Sequence, residues 1–255
     1  MGKVEDYIKD GIATKGGLLF ALIDPVDYKK PQDAISAGTQ AGEGGADIVL
    51  IGGSMGAQGE LLDSVAKGIK EKVSVPVVLF PGNISTLTKY ADAVYFMSLL
   101  NSRNPYWISQ AQMLAAPTVK RMGIEALPVG YIVIEPGGTV GFVGDAKLVP
   151  RDRPQIAAAM AMAAELSGFR LILTDSGSNP ATGHMPLEMV SAVAKSISVP
   201  YIVGGGVRTP KEAGAVIAAG AGAVQVGTAL ESGGNLKTRV SDMVKAIREA
   251  GKKKA

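Results

Sequence analysis

The chain has 255 residues, long enough to bury about three quarters of its unfolded surface without staples. It contains no Cys, which excludes disulfides, thiolate metal sites and a cysteine nucleophile, and which suits a reducing cytoplasm. Its net charge of +3, partly held in Lys252, Lys253 and Lys254, is too small to indicate a nucleic-acid partner, and no apolar run reaches the roughly 18 residues of a membrane span.

Residues 1–17 are charged and polar and lack the apolar core of a secretion signal. The first apolar run, 18–24, ends in Leu22-Ile23-Asp24-Pro25, and an amphipathic stretch follows at 33–43. The second run, 47–53, ends in Gly52-Gly53-Ser54 and leads to a helical pattern at 61–72. Runs three and four, 75–81 and 93–99, are separated only by residues 82–92. A crossover between parallel strands needs about a dozen residues, so any helix there is short or missing and the wall is open on that side.

A helical stretch at 105–122 precedes the fifth run, 126–135. The glycine-rich segment 136–153 is too long for a simple turn and reads either as a lid or as a surface loop. Helical and apolar segments then alternate regularly: 155–167, 171–175, 187–196, 200–206, 210–219, 223–227 and 236–250. Continuous apolar runs are expected of parallel strands buried on both faces. Eight of them, mostly with helices between, predict a single (β/α)8 TIM barrel over residues 1–255, with a doubly wound sheet as the alternative.

In such a barrel, chemistry collects at the carboxyl ends of the strands. Strand seven closes in Gly204-Gly205-Gly206 and strand eight in Gly227-Thr228. Glycines there let backbone N–H groups approach an anion, and barrels bind phosphate at this place; the alternative is ordinary turn glycines. Strand six ends in Asp175-Ser176-Gly177-Ser178, where Asp175 is the candidate catalytic carboxylate, although the same residues also suit a capped turn. Asp24 points into the same mouth as a candidate Mg²⁺ ligand, with the Ser54 hydroxyl one strand away. His184 is the only histidine and reads as a loop residue. A sugar-phosphate isomerase or aldolase would need a strand-end Lys or two facing acids, and neither pattern is present.

Several stretches together resemble the geranylgeranylglyceryl phosphate synthase family of barrel prenyltransferases. They are Leu22-Ile23-Asp24-Pro25, Gly52-Gly53-Ser54, Phe80-Pro81-Gly82, Phe96-Met97-Ser98-Leu99-Leu100-Asn101-Ser102, Gly130-Tyr131-Ile132-Val133-Ile134-Glu135-Pro136-Gly137 and the glycine triplet. The resemblance implies transfer of a geranylgeranyl group from its diphosphate to sn-glycerol 1-phosphate, releasing pyrophosphate and forming an ether bond. It implies that Asp24 and Ser54 hold Mg²⁺. It further implies that Leu173, Thr174, Asp175, Ser176, Gly177, Ser178, Asn179, Gly204, Gly205, Gly206, Gly227 and Thr228 form the glycerol phosphate site. The shortened third helix would leave a groove for the prenyl chain, and Trp107, near the start of the helix after strand four, is a candidate stop at its far end or else an aromatic packing between helices or subunits.

One motif departs from that family, which usually reads Tyr-Leu-Glu-Ala-Gly-Ser-Gly across residues 173–179. Here position 173 is Leu and the acid is Asp175, one methylene shorter than Glu. A synthase using a longer prenyl diphosphate and a catalytically silent phosphate-binding relative therefore stay open. The expected partners are the two substrates and further copies of the chain, as a dimer or hexamer. The expected location is the cytoplasm, peripheral to the membrane.

Overall fold

The computed structural model describes residues 2–53, 57–231 and 235–253. Eight parallel strands close into a barrel in sequence order: β1 (Leu18–Ile23), β2 (Ile48–Ile51), β3 (Val77–Leu79), β4 (Ala93–Leu99), β5 (Glu125–Val133), β6 (Leu171–Asp175), β7 (Tyr201–Gly204) and β8 (Ala223–Val226). The doubly wound alternative is excluded by the pairing of β1 with β8. Alternate residues of each strand face opposite sides. Leu18, Phe20, Leu50, Tyr95, Leu127, Leu173 and Ile202 fill the barrel, while Leu19, Ala21, Val49, Val94, Ile172 and Val203 pack outward against the helices. Both faces are dry, which is why the strands read as unbroken apolar runs.

The chain begins with α1 (Lys3–Lys15), in a segment whose composition pointed to no element. Val4 and Ile8 on α1 are buried against the barrel interior and close its amino-terminal end. Glu125 caps α1 by accepting from the N–H groups of Val4 at 2.8 Å and Glu5 at 3.0 Å. Such an acid at a helix start pairs with otherwise unsatisfied donors and a favourable dipole.

Outside the barrel lie α2 (Pro31–Glu43), α3 (Gly59–Lys70), α4 (Ala111–Met122), α5 (Gly138–Val143), α6 (Pro154–Leu166), α7 (Leu187–Ala194), α8 (Pro210–Ala218), α9 (Thr228–Glu231) and α10 (Leu236–Lys252). α8 starts with a capping box: Thr209 Oγ1 accepts from the Glu212 N–H at 3.2 Å, and Glu212 Oε2 accepts from the Thr209 N–H at 3.0 Å. No helix lies between β3 and β4. That connection is instead a turn in which Asn83 Oδ1 accepts from the Ser85 N–H at 2.8 Å and Thr86 Oγ1 donates to Asn83 O at 2.7 Å. The expected opening in the helical ring is therefore real, and it positions the site.

Candidate active site

A cavity of about 440 Å³ opens at the carboxyl ends of the strands and continues sideways through the gap left by the missing helix. Its lateral end is apolar. Val94 and Phe96, outward-facing on β4, meet Ala115 and Val119 of α4 and Ile84 and Leu87 of the β3–β4 turn. With a helix after β3, the outer face of β4 would be covered, so the short connection is what creates this groove.

The long segment after β5 forms a wall of the cavity rather than a free loop. Val140 and Val143 of α5 line it. The segment is fastened by Asn101, whose amide donates to Val133 O at 2.8 Å and Lys147 O at 3.0 Å while its oxygen accepts from the Val133 N–H at 3.0 Å. The Ser102 hydroxyl donates to Gly144 O at 2.6 Å.

Trp107 is part of the cavity wall. It sits in a π-helical turn, Tyr106–Gln110, before α4. Ser98 Oγ holds that turn by donating to Ile108 O at 2.7 Å, and the Trp107 ring packs edge-on to Tyr106 with centroids 4.9 Å apart. π-Helical turns are frequent at functional sites because the extra residue re-aims side chains.

The other end of the cavity is polar. Asp24, Asp27, Asp175, Gly177, Ser178, Asn179, Gly205, Gly206, Arg208, Gln225, Gly227 and Thr228 all line it. Asp175 is 7 % exposed. Its Oδ1 accepts from the Gly177 N–H at 2.7 Å and its Oδ2 from the Tyr131 hydroxyl at 3.3 Å. Burial pushes the Asp175 carboxyl above the ordinary aspartate range, partly offset by these two hydrogen bonds, which favour the anion. Burial, with the Asp175 charge, pushes the Tyr131 phenol up, so it stays a donor. A buried carboxylate tuned upward and oriented by two donors is suited to take a proton from a bound hydroxyl.

Gly205 has φ 83° and Gly206 φ 76°, a left-handed run that turns the chain sharply after β7. A Cβ on Gly205 would lie 2.7 Å from Gly177 O and 2.8 Å from Asp175 Oδ1, so backbone packs where a side chain would go. Arg208 braces this cradle, donating through Nε to Asn179 Oδ1 at 3.1 Å and through Nη2 to Pro180 O at 2.7 Å.

Not every candidate faces the cavity. Thr174 points outward, its hydroxyl 2.7 Å from Tyr201 Oη, and is fully buried between barrel and helices. Ser176 is fully buried and, with Leu173 and Gly204, is not among the lining residues. Parity explains this: on β6 the residues 171, 173 and 175 point inward, and Leu173 lies one layer below the cavity floor. Gly204 acts by what it lacks, since a Cβ there would sit 3.0 Å from Asp175 Oδ2. Ser54 lies outside the described residues. His184 is a loop residue, as expected, its Nδ1 2.7 Å from Met185 O.

Reasoning from motifs gave no role to Tyr131, Arg208, Asp27 or Gln225. Tyr131 is the register partner of Leu173 across the β5–β6 seam, and the inward parity of β5 was the available signal. Gln225 was a polar residue inside an apolar run, Ala223–Val226, and that was its signal.

Comparison with known proteins follows the same outline. The PcrB family pattern matches residues 14–251. Geranylgeranylglyceryl phosphate synthase of Methanothermobacter thermautotrophicus is 48% identical over 245 residues, covering 96% of this chain and 98% of the relative. That of Thermococcus kodakarensis is 49% identical over 237 residues, 93% of each chain. The crystal structure of (S)-3-O-geranylgeranylglyceryl phosphate synthase from Thermoplasma acidophilum, in complex with its substrate sn-glycerol-1-phosphate, superposes with a TM-score of 0.91 at 36% identity, covering 98% of this chain and 99% of that one.

Proposed function

The chain belongs to the PcrB family, and from that membership we propose that it joins sn-glycerol 1-phosphate to geranylgeranyl diphosphate, releasing pyrophosphate and forming the first ether bond of archaeal membrane lipids. The observation that carries this reading is one continuous cavity with the buried acid Asp175 at its polar end and an apolar groove through the gap between β3 and β4. A small phosphate and a long hydrocarbon chain need those two environments side by side.

The glycerol phosphate lies with its phosphate against the backbone of Gly205, Gly206, Gly227 and Thr228. Its 3-hydroxyl points at Asp175, which takes the proton as oxygen bonds to the allylic carbon. The carbon–oxygen bond to the diphosphate breaks and pyrophosphate leaves with both bonding electrons. The groove walls Val94, Phe96, Ala115 and Val119 hold the chain and keep water from the developing allylic cation.

Mg²⁺ is the cofactor of this reading. Asp24 fits the role: it lines the cavity, and Gly53 leaves it room, since a Cβ there would sit 2.1 Å from Asp24 Oδ2. Among the described residues no group of three or more acids or histidines gathers for a metal. Mg²⁺ bound through a substrate diphosphate needs only one or two protein carboxylates. When bound, the ion neutralises charge on the departing pyrophosphate. Asp24, with Ser54, would hold it.

Met113 and Leu114 on α4 and Leu166 on α6 are 66%, 52% and 88% exposed. These exposed apolar side chains support self-association, read here as a dimer or hexamer. No helix among the described residues is long and apolar enough to cross a membrane. Phe142, 90% exposed on α5, supports contact with the membrane surface that receives the product, from the cytoplasmic side on this reading.

The deciding experiment offers radiolabelled sn-glycerol 1-phosphate with a series of prenyl diphosphates. The geranylgeranyl ether is the expected product. Preference for a longer chain would point to the longer-chain synthase, and binding without transfer to a silent relative.

A further inference from the structure

Among the described residues, Tyr95 and Gln225 each carry an enclosed polar atom without a hydrogen-bond partner inside the barrel, and Gln225 is the one that stands next to Asp175 across a single glycine. Gln225 is 4% exposed and faces inward on β8. Its Oε1 is fully enclosed and has no hydrogen-bond partner. The inward residue before it on this strand is Ala223, and an apolar side chain of the same length would fill the same space. Buried carboxamides are ordinarily satisfied, so an orphaned one at the floor of a ligand cavity points to a missing partner.

Strand register says where that partner sits. Asp175 pairs with Gly204, Gly204 pairs with Gln225, and Gln225 pairs with Phe20. These are successive inward positions on β6, β7, β8 and β1. Gly204 contributes no side chain, and the Asp175 carboxylate already leans over its α-carbon. Asp175 and Gln225 therefore face one open space across a glycine, just below the cradle of Gly205, Gly227 and Thr228. The last torsion of a Gln side chain is broad and nearly two-fold, and half a turn exchanges its oxygen and nitrogen, so the carboxamide can present either one to a ligand.

Resting on the prenyl transfer proposed above, we infer that Gln225 positions the acceptor by receiving a hydrogen bond from the glycerol 2-hydroxyl. With the phosphate in the cradle and the 3-hydroxyl beside Asp175, the middle carbon lies over Gly204. Its hydroxyl then has Gln225 as its acceptor. The contact fixes rotation about the glycerol backbone and aims the 3-hydroxyl at the allylic carbon. It also makes the site selective for a vicinal diol phosphate over a phosphate with a single hydroxyl.

Calorimetry and turnover test this on the intact chain, using sn-glycerol 1-phosphate and its analogue lacking the 2-hydroxyl, 3-hydroxypropyl phosphate. The parent should bind the diol about tenfold more tightly than the analogue, the scale of one neutral hydrogen bond. Gln225→Met keeps length and removes the acceptor. It should lose about that tenfold on the diol and nothing on the analogue, with the KM for the prenyl diphosphate unchanged. Equal losses on both ligands mean a packing role and overturn the inference, as does no loss on either. If Gln225→Met does not fold, the parent decides alone, since equal affinity for the two ligands also overturns it. A parent that binds the diol selectively but transfers no prenyl group fails the functional reading and leaves the Gln225 contact standing.

Discussion

The Tyr131 hydroxyl donates to Asp175 Oδ2 at 3.3 Å across the seam between β5 and β6, while the Gly177 N–H holds Oδ1 at 2.7 Å. The carboxylate is thus clamped from two sides, with Leu173 one inward position below it. Position 173 is Leu, and the phenol that touches the acid comes from the neighbouring strand.

Removing the base is the most direct test. Asp175→Asn should lower turnover by about 10²–10⁴, the range for losing a general base, with little change in prenyl diphosphate affinity. Asp175→Glu should stay active, because the side chain the family usually carries still reaches the hydroxyl. If Asp175→Asn matches the parent, the proton goes elsewhere, such as to pyrophosphate. If both variants are dead, the site has been rebuilt around the shorter acid.

The pH profile follows from the same clamp. Burial raises the Asp175 pKa, so the acid limb of kcat/KM should lie above the roughly 3.9 of an ordinary aspartate. Tyr131→Phe removes a bond that favours the anion and should move the limb higher still. A limb that falls, or that does not move, contradicts the assignment. For stability the sign is that of a raised folded pKa. The contribution is fully present below the unfolded pKa and is lost as pH rises through the folded one. Asp175→Asn should therefore gain thermal stability relative to the parent at neutral pH, with the difference closing in acid.

The cradle is tested at Gly205. Its φ of 83° strains any side chain, and a Cβ would press on Gly177 O at 2.7 Å. Gly205→Val should weaken glycerol phosphate binding about tenfold or more by displacing the backbone donors. Unchanged affinity by calorimetry, in a folded variant, counts against this phosphate site.

Trp107 is the candidate stop for the prenyl chain. Trp107→Ala should let longer prenyl diphosphates react, since the ring occupies the cavity wall beside the groove. The readout is product chain length across a diphosphate series. An unchanged profile would show that the ring packs the wall without measuring the chain.

Asp24→Asn should remove most turnover, even at saturating Mg²⁺, and leave the fold intact. Near-normal turnover would falsify its role as the metal ligand.

The sequence by itself determined the order and number of the strands, because a strand buried on both faces must be an unbroken apolar run. It also limited the third helix to a short or missing one, since residues 82–92 leave little chain beyond what the crossover itself needs. It marked Asp24, Asp175 and the glycines 205, 206 and 227, because strand-end position is a property of the one-dimensional pattern. It did not reveal α1, whose apolar residues Val4 and Ile8 are too sparse to stand out until the barrel end gives them a surface. Only the tertiary structure decided that Thr174 turns away, that Tyr131 meets Asp175 and that Gln225 faces it across Gly204. Those relations depend on which way each residue of a strand points and on the register between neighbouring strands. A one-residue slip would send every one of these side chains to the other face, and register is set by the closure of the whole barrel.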